Sequence, residues 1–136
     1  MARQITLNDQ EWIEIVNSKK QVTGGFWWNP SDIDIVKRCE KTIDFFNNVS
    51  IPEGDKEALF KLSDQVKQQF NFLLNSENAA DTLFERSNPF SPREDGTLYA
   101  EYVLNTLTKF IESEFNVRMK KTTSRIKKYT EKYEKV

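Results

Sequence analysis

Apolar positions along this chain follow two different periods. Between Pro30 and Met119 they return every three or four residues, the mark of helices that each present one face to a core; before Pro30 they alternate or cluster. In the first stretch, Arg3-Gln-Ile-Thr-Leu7 sets Ile5 and Leu7 on one face, and Asn8-Asp9-Gln10 reads as a turn. Glu11-Trp12-Ile13-Glu14-Ile15-Val16 is rich in β-formers, so residues 3–16 are expected to form a β-hairpin. A short amphipathic helix capped at Asn8 or Asp9 is the competing reading. Residues 17–25 are polar and end in Gly24-Gly25, which predicts a loop. Phe26-Trp27-Trp28 follows directly. Three consecutive large aromatics cannot share one side of a regular element, so some pack inward, while any that stays exposed is an anchor for a partner.

Asn29-Pro30-Ser31-Asp32 has the form of a helix start, with Asn29 at the N-cap, Pro30 at the first helical position and Asp32 near the positive end of the dipole. This helix is expected to reach Asn47 or Asn48 with Ile33, Val36, Cys39 (or Glu40), Ile43 and Phe46 as its apolar face. A second helix is expected from Asp55 to Leu74, where Leu59, Leu62, Val66, Phe70 and Leu73 form the clearest stripe in the chain. Ser76 can cap a short third helix ending at Phe84 or Glu85, and Pro89, Pro92 and Gly96 make residues 86–96 a loop. From Thr97 onward neither Pro nor Gly recurs. Leu104, Leu107, Ile111, Phe115 and Met119, widened by Tyr99, Val103 and Phe110, predict a long C-terminal helix to about Thr123. The expected fold class is therefore mainly α, with about four helices and a small N-terminal β-hairpin. Residues 1–123 are expected to form one domain and residues 124–136 a basic extension.

Charge adds a polarity that the net value of −1 conceals. Residues 118–136 carry eight basic groups against two acids, whereas residues 1–117 carry twelve basic groups against nineteen acids. A basic segment with Arg125, Lys127, Lys128 and Lys132 on an acidic body can meet a polyanion, pair with the acidic body of a neighbouring copy, or form the solvated end of a long helix. Tyr129 and Tyr133, four apart, could stack on bases. The acidic body repels phosphate and no helix-turn-helix pattern is present, so nucleic acid is the weaker expectation. A small helical regulatory or nucleic-acid-associated protein using this basic segment is the alternative to the binding role developed below.

The inventory narrows the chemistry. The chain of 136 residues has no histidine, one cysteine (Cys39) and four glycines. A His ligand or base, a thiolate cluster and a Gly-rich phosphate loop are all excluded. Carboxylates remain, but Asp32 and Asp34, or Glu112 and Glu114, lie two apart and so face different sides of a helix. Glu40 and Asp44 share a face without any accompanying pocket signal. Neither catalysis nor a bound metal or cofactor is expected. Seventeen aromatics argue for a folded chain. No run of apolar residues is long enough for a signal peptide or a membrane span, and a lone cysteine suits a reducing compartment, so a cytoplasmic location without membrane attachment is expected.

The order of elements carries a resemblance. A β-like N-terminus precedes Asn29-Pro-Ser-Asp-Ile-Asp-Ile-Val-Lys-Arg38, and a long amphipathic helix follows. A short helix then ends in Ala80-Asp-Thr-Leu-Phe84, and a Pro-containing loop leads to a long helix with the basic end Arg125-Ile-Lys-Lys-Tyr-Thr-Glu-Lys-Tyr133. Over residues 29–133 this resembles the small tail assembly chaperones of long-tailed phages and prophages of Gram-positive bacteria. The resemblance implies a viral protein that binds the long helical tape measure protein and keeps it soluble until the tail tube forms around it. It would act in the host bacterial cytoplasm, be absent from the mature virion, self-associate as a homo-oligomer, and in some members meet a frameshift-extended form of itself. The first candidate contact residues are Phe26, Trp27 and Trp28; Leu104, Leu107, Ile111 and Phe115 come second, because the core competes for them.

Overall fold

The computed structural model describes residues 2–134, with side-chain surroundings for residues 2–121. A two-stranded antiparallel hairpin, β1 (Glu11–Val16) and β2 (Val22–Trp28), is followed by four helices. These are α1 (Ile35–Asn48), α2 (Lys56–Leu74), α3 (Ala79–Leu83) and α4 (Tyr99–Glu134).

The hairpin is displaced by one strand from the expected one. Glu11–Val16 is a strand, but its partner is Val22–Trp28 rather than residues 3–7, with Ile13 opposite Phe26 and Trp12 opposite Trp27. Residues 2–10 have no regular structure and are exposed throughout. The true turn is shorter than the predicted loop. Asn17 Oδ1 accepts from the backbone N–H of Lys19 (2.9 Å) and of Gln21 (3.0 Å), and Lys20 takes the left-handed φ of 63°. That Asx closure lets the chain reverse and brings Gly24, Gly25 and the aromatics into strand.

Asn29 and Asp32 organise the approach to α1 by local bonds rather than by capping at Asn29. Asn29 Oδ1 accepts from Ser31 N–H (3.0 Å) and Asp32 Oδ1 from Asp34 N–H (3.0 Å), and the helix begins only at Ile35. The face turned to the core is also rotated from the expected one. Ile35 and Thr42 are buried, with Arg38, Cys39, Phe45 and Phe46 half-buried, whereas Ile33, Val36 and Ile43 are exposed.

The remaining helices follow the sequence pattern, except that α3 begins at Ala79 after Asn78 with no side-chain cap, so Ser76 does not cap it. Asp55 caps α2 by accepting from Ala58 N–H (3.1 Å), and Asn75 ends it in the left-handed conformation. Val66, Phe70, Leu73 and Leu74 are buried; Leu59 and Leu62 are half-buried. Asn71 holds the α2–α3 turn, accepting from Ala80 N–H (2.7 Å) and donating to the Glu77 carbonyl (3.0 Å). The 86–96 loop is pinned where Asn88 donates to the buried Ser63 hydroxyl (2.9 Å). Its Ser91 and Pro89 carbonyls accept from Tyr99 and Ala100 N–H (2.9 Å each), satisfying donors that the first turn of α4 would leave orphaned. The helix starts two residues later than predicted and continues past Thr123 to Glu134.

A continuous run of edge-packed rings joins the four helices. Phe46 of α1 meets Phe70 of α2 at 5.8 Å, Phe70 meets Phe84 after α3 at 5.0 Å, and Phe84 meets Tyr99 of α4 at 5.8 Å. The hairpin closes over this core through Trp28, whose ring lies 5.5 Å from Phe110.

Candidate partner interface

The aromatic triplet is divided by strand alternation. In β2, Phe26 and Trp28 point to the core and are 5 % and 2 % exposed, while Trp27 between them is 55 % exposed. Phe26 and Trp28 are therefore structural, and only Trp27 is free to meet a partner. Trp27 is not alone. Trp12, directly opposite on β1, is 48 % exposed, and the two indoles meet edge-to-face at 5.4 Å. The Trp12 ring also lies across Gly25: a Cβ at that position would stand 2.5 Å from Trp12 Cζ2 and 2.6 Å from the Ile13 carbonyl oxygen. Gly25 is thus the condition for the indole to lie flat on the sheet. Beneath the same strand, Gly24 leaves room for the Thr82 methyl group, and the Thr82 hydroxyl donates to the Gly25 carbonyl (3.3 Å). The tryptophan pair is therefore seated on a sheet that α3 supports from below.

The α4 candidates turn mostly inward. Leu107 (8 % exposed) and Ile111 (4 %) are core, and Leu104 and Phe115 are half-buried against it. Exposure returns towards the C-terminal half of α4 with Val117 and Met119. Arg118 ties this region to the hairpin, reaching Glu11 at 3.9 Å and Glu114 at 2.8 Å. The basic-segment candidates Arg125, Lys127, Lys128 and Lys132 lie outside the residues whose side chains are described.

Two surfaces went unnoticed in the sequence. Trp12 lay in a strand expected to pair with residues 3–7, so its place opposite Trp27 was not foreseen. Ile33, just before α1, and Val36 and Ile43 on it are exposed but were assigned to the core because their 3- and 7-residue spacing fits a buried helix face equally well. A shallow groove of about 740 Å³ between α1 and α2 is lined by Phe45, Val49, Leu62 and Phe72. A second groove, of about 480 Å³, separates β1 from α4.

Asp32 and Arg38 organise the start of α1. Asp32 accepts from Asp34 N–H and pairs with Arg38 Nη1 at 3.1 Å, and the first of these, with the guanidinium, holds its carboxyl below the ordinary range. Arg38 Nε donates in turn to the Leu73 carbonyl (3.1 Å), placing positive charge at the C-terminal end of α2. Burial pushes the Cys39 thiol above its usual pKa, and the nearby Arg38 offsets that only in part. A protonated, half-buried thiol is a poor nucleophile. Among the described residues no group of three or more acidic or cysteine side chains is placed to hold a metal ion, and no helix is long and apolar enough to cross a membrane. Comparison of the chain with family models, with curated proteins and with solved structures gives no match in any of the three.

Proposed function

We propose that this protein is a non-catalytic binding chaperone for a long, largely helical partner, and that the partner is the tape measure protein of a long-tailed phage or prophage. The observation that carries the binding role is the Trp12–Trp27 pair, two large aromatics about half exposed on a supported sheet with no packing role for their outer faces. Tryptophan left at a surface is costly in water and is the residue type most enriched at interface hot spots. Ile33 just before α1, with Val36 and Ile43 on it, adds exposed apolar surface of the kind an amphipathic helix covers. A small protein with such surfaces suits a partner that repeats the same kind of helix many times, because copies bound side by side gain from one another. The proposed partner rests on the resemblance of element order to tail assembly chaperones, which also implies action in the host cytoplasm and absence from the finished particle.

Co-expression with a cognate tape measure protein tests the reading. The expected result is that the tape measure protein becomes soluble and co-purifies with the chain, and that Trp27→Ala and Trp12→Ala each weaken this while the variant still unfolds cooperatively, well above the temperature of the assay. Absence of rescue and of co-purification at both low and moderate salt would sink the proposal. Binding to bare DNA with a steep salt dependence would favour the nucleic-acid alternative instead.

A further inference from the structure

We propose that residues 3–7 of one copy add as a third strand along the free edge of β1 in a second copy. The sheet has only two strands among the described residues, and β1 has β2 as its sole neighbour. The groove beside it is lined by every residue from Ile13 to Ser18, whether its side chain points inward or outward. Thr23 and Phe26 of β2 and Thr82 and Leu83 of α3 line it as well, so the groove runs from beneath the hairpin out to the edge of β1, where consecutive residues of the strand border it. Its opposite wall is one face of α4, from Tyr99 through Val103 and Leu107 to Phe110. That wall is about 17 Å long at the helical rise of ~1.5 Å per residue. Five extended residues span about the same length at ~3.3 Å each. An extended segment of five residues therefore fits between the walls, and an unpaired strand edge supplies backbone donors and acceptors for it.

The segment with the matching pattern is at the start of the same chain. Ile5 and Leu7 alternate with polar residues and are 85 % and 77 % exposed, the two most exposed large apolar side chains of the described residues. Arg3 is the sole charge in residues 2–8, and the groove presents Glu14 and Glu85 against Arg86. The chain's own segment stays off its own body, since residues 2–10 are exposed throughout. A second copy is thus the source that satisfies both the open edge and the bare alternating segment. Such donation from copy to copy extends into an open chain, and reciprocal exchange closes a dimer.

Sedimentation equilibrium and paired cysteines provide the test. The wild type is expected to self-associate with rising concentration. The double variant Ile5→Glu/Leu7→Glu should weaken association about tenfold or more while keeping the parent's circular dichroism and melting temperature. In a Cys39→Ser background, Leu7→Cys with Thr106→Cys should give cross-linked dimers or ladders on oxidation. A strictly monomeric wild type, association indifferent to the double variant, or a cross-link formed only within one chain would overturn the proposal. The last result would mean that the segment folds back on its own β1 through Asn8-Asp9-Gln10.

Discussion

Trp27 and Trp28 are neighbours in sequence, yet replacing each by alanine should have very different consequences. Trp28 is 2 % exposed. A tryptophan side chain of about 220 Å² buried at ~25 cal/mol per Å² contributes roughly 5 kcal/mol, and its removal also leaves a cavity beside Phe110. One feature offsets part of this. Trp28 Nε1 is buried without a hydrogen-bond partner, so truncation relieves a desolvated donor worth about 1–3 kcal/mol. The net expectation for Trp28→Ala is a loss of about 3–5 kcal/mol. Trp27 is 55 % exposed, so less than half of its surface is at stake. The same arithmetic gives an upper bound of about 2.5 kcal/mol, and a compact denatured state lowers it to about 1–2 kcal/mol. Urea unfolding followed by far-ultraviolet circular dichroism separates the two without relying on tryptophan emission. With an m-value of about 2 kcal/mol per M, Trp28→Ala should lower the midpoint by about 2 M and Trp27→Ala by under 1 M. Equal shifts, or a larger shift for Trp27→Ala, would refute the assignment of the two faces of β2. The result also governs the functional test, because only a variant that stays folded can report on partner binding.

Three other outcomes follow from single contacts. Thr42 is fully buried and its hydroxyl has no partner, so Thr42→Val should stabilise the protein by about 1 kcal/mol, read as a rise in melting temperature of about 3–5 °C; a fall would show that the hydroxyl is satisfied. Gly25→Ala forces a Cβ against both the Trp12 ring and the Ile13 carbonyl, and is expected to cost about 2 kcal/mol and alter the near-ultraviolet dichroism of the indole pair; an unchanged spectrum and melting temperature would contradict the packing of Trp12. Asp32 has a folded pKa below its unfolded value of about 3.9, so its contribution is present above that pH and disappears as pH falls through the folded value. Asp32→Asn should therefore be less stable than the parent at pH 7, with the gap in urea midpoint narrowing at pH 3; a gap that stays constant would remove Asp32 from the acid response.

What the sequence determined by itself was local. The bounds of α2 and its stripe through Val66, Phe70 and Leu73 follow from a single strong period. The core face of α4 through Val103, Leu107 and Ile111 was legible for the same reason, whereas α3 was expected from a cap at Ser76 that does not form. Tertiary structure decided whatever had two locally equivalent solutions. Residues 11–16 could pair with residues 3–7 or with 22–28, and both candidates are β-formers reached through polar turns. The pairing observed is the one that buries Phe26 and Trp28 on the helices, a benefit that residues 3–7 with Ile5 and Leu7 do not match. Around α1, Ile33 in the preceding turn with Val36 and Ile43 offers one apolar face, and Ile35, Cys39, Thr42 and Phe46 make another. Packing chose the second because it carries Phe46 to Phe70 and Arg38 to the end of α2. Exposure of Trp12 and Trp27 is a consequence of the same choices: alternation in a strand assigns faces, but only the body beneath the sheet determines which face meets water.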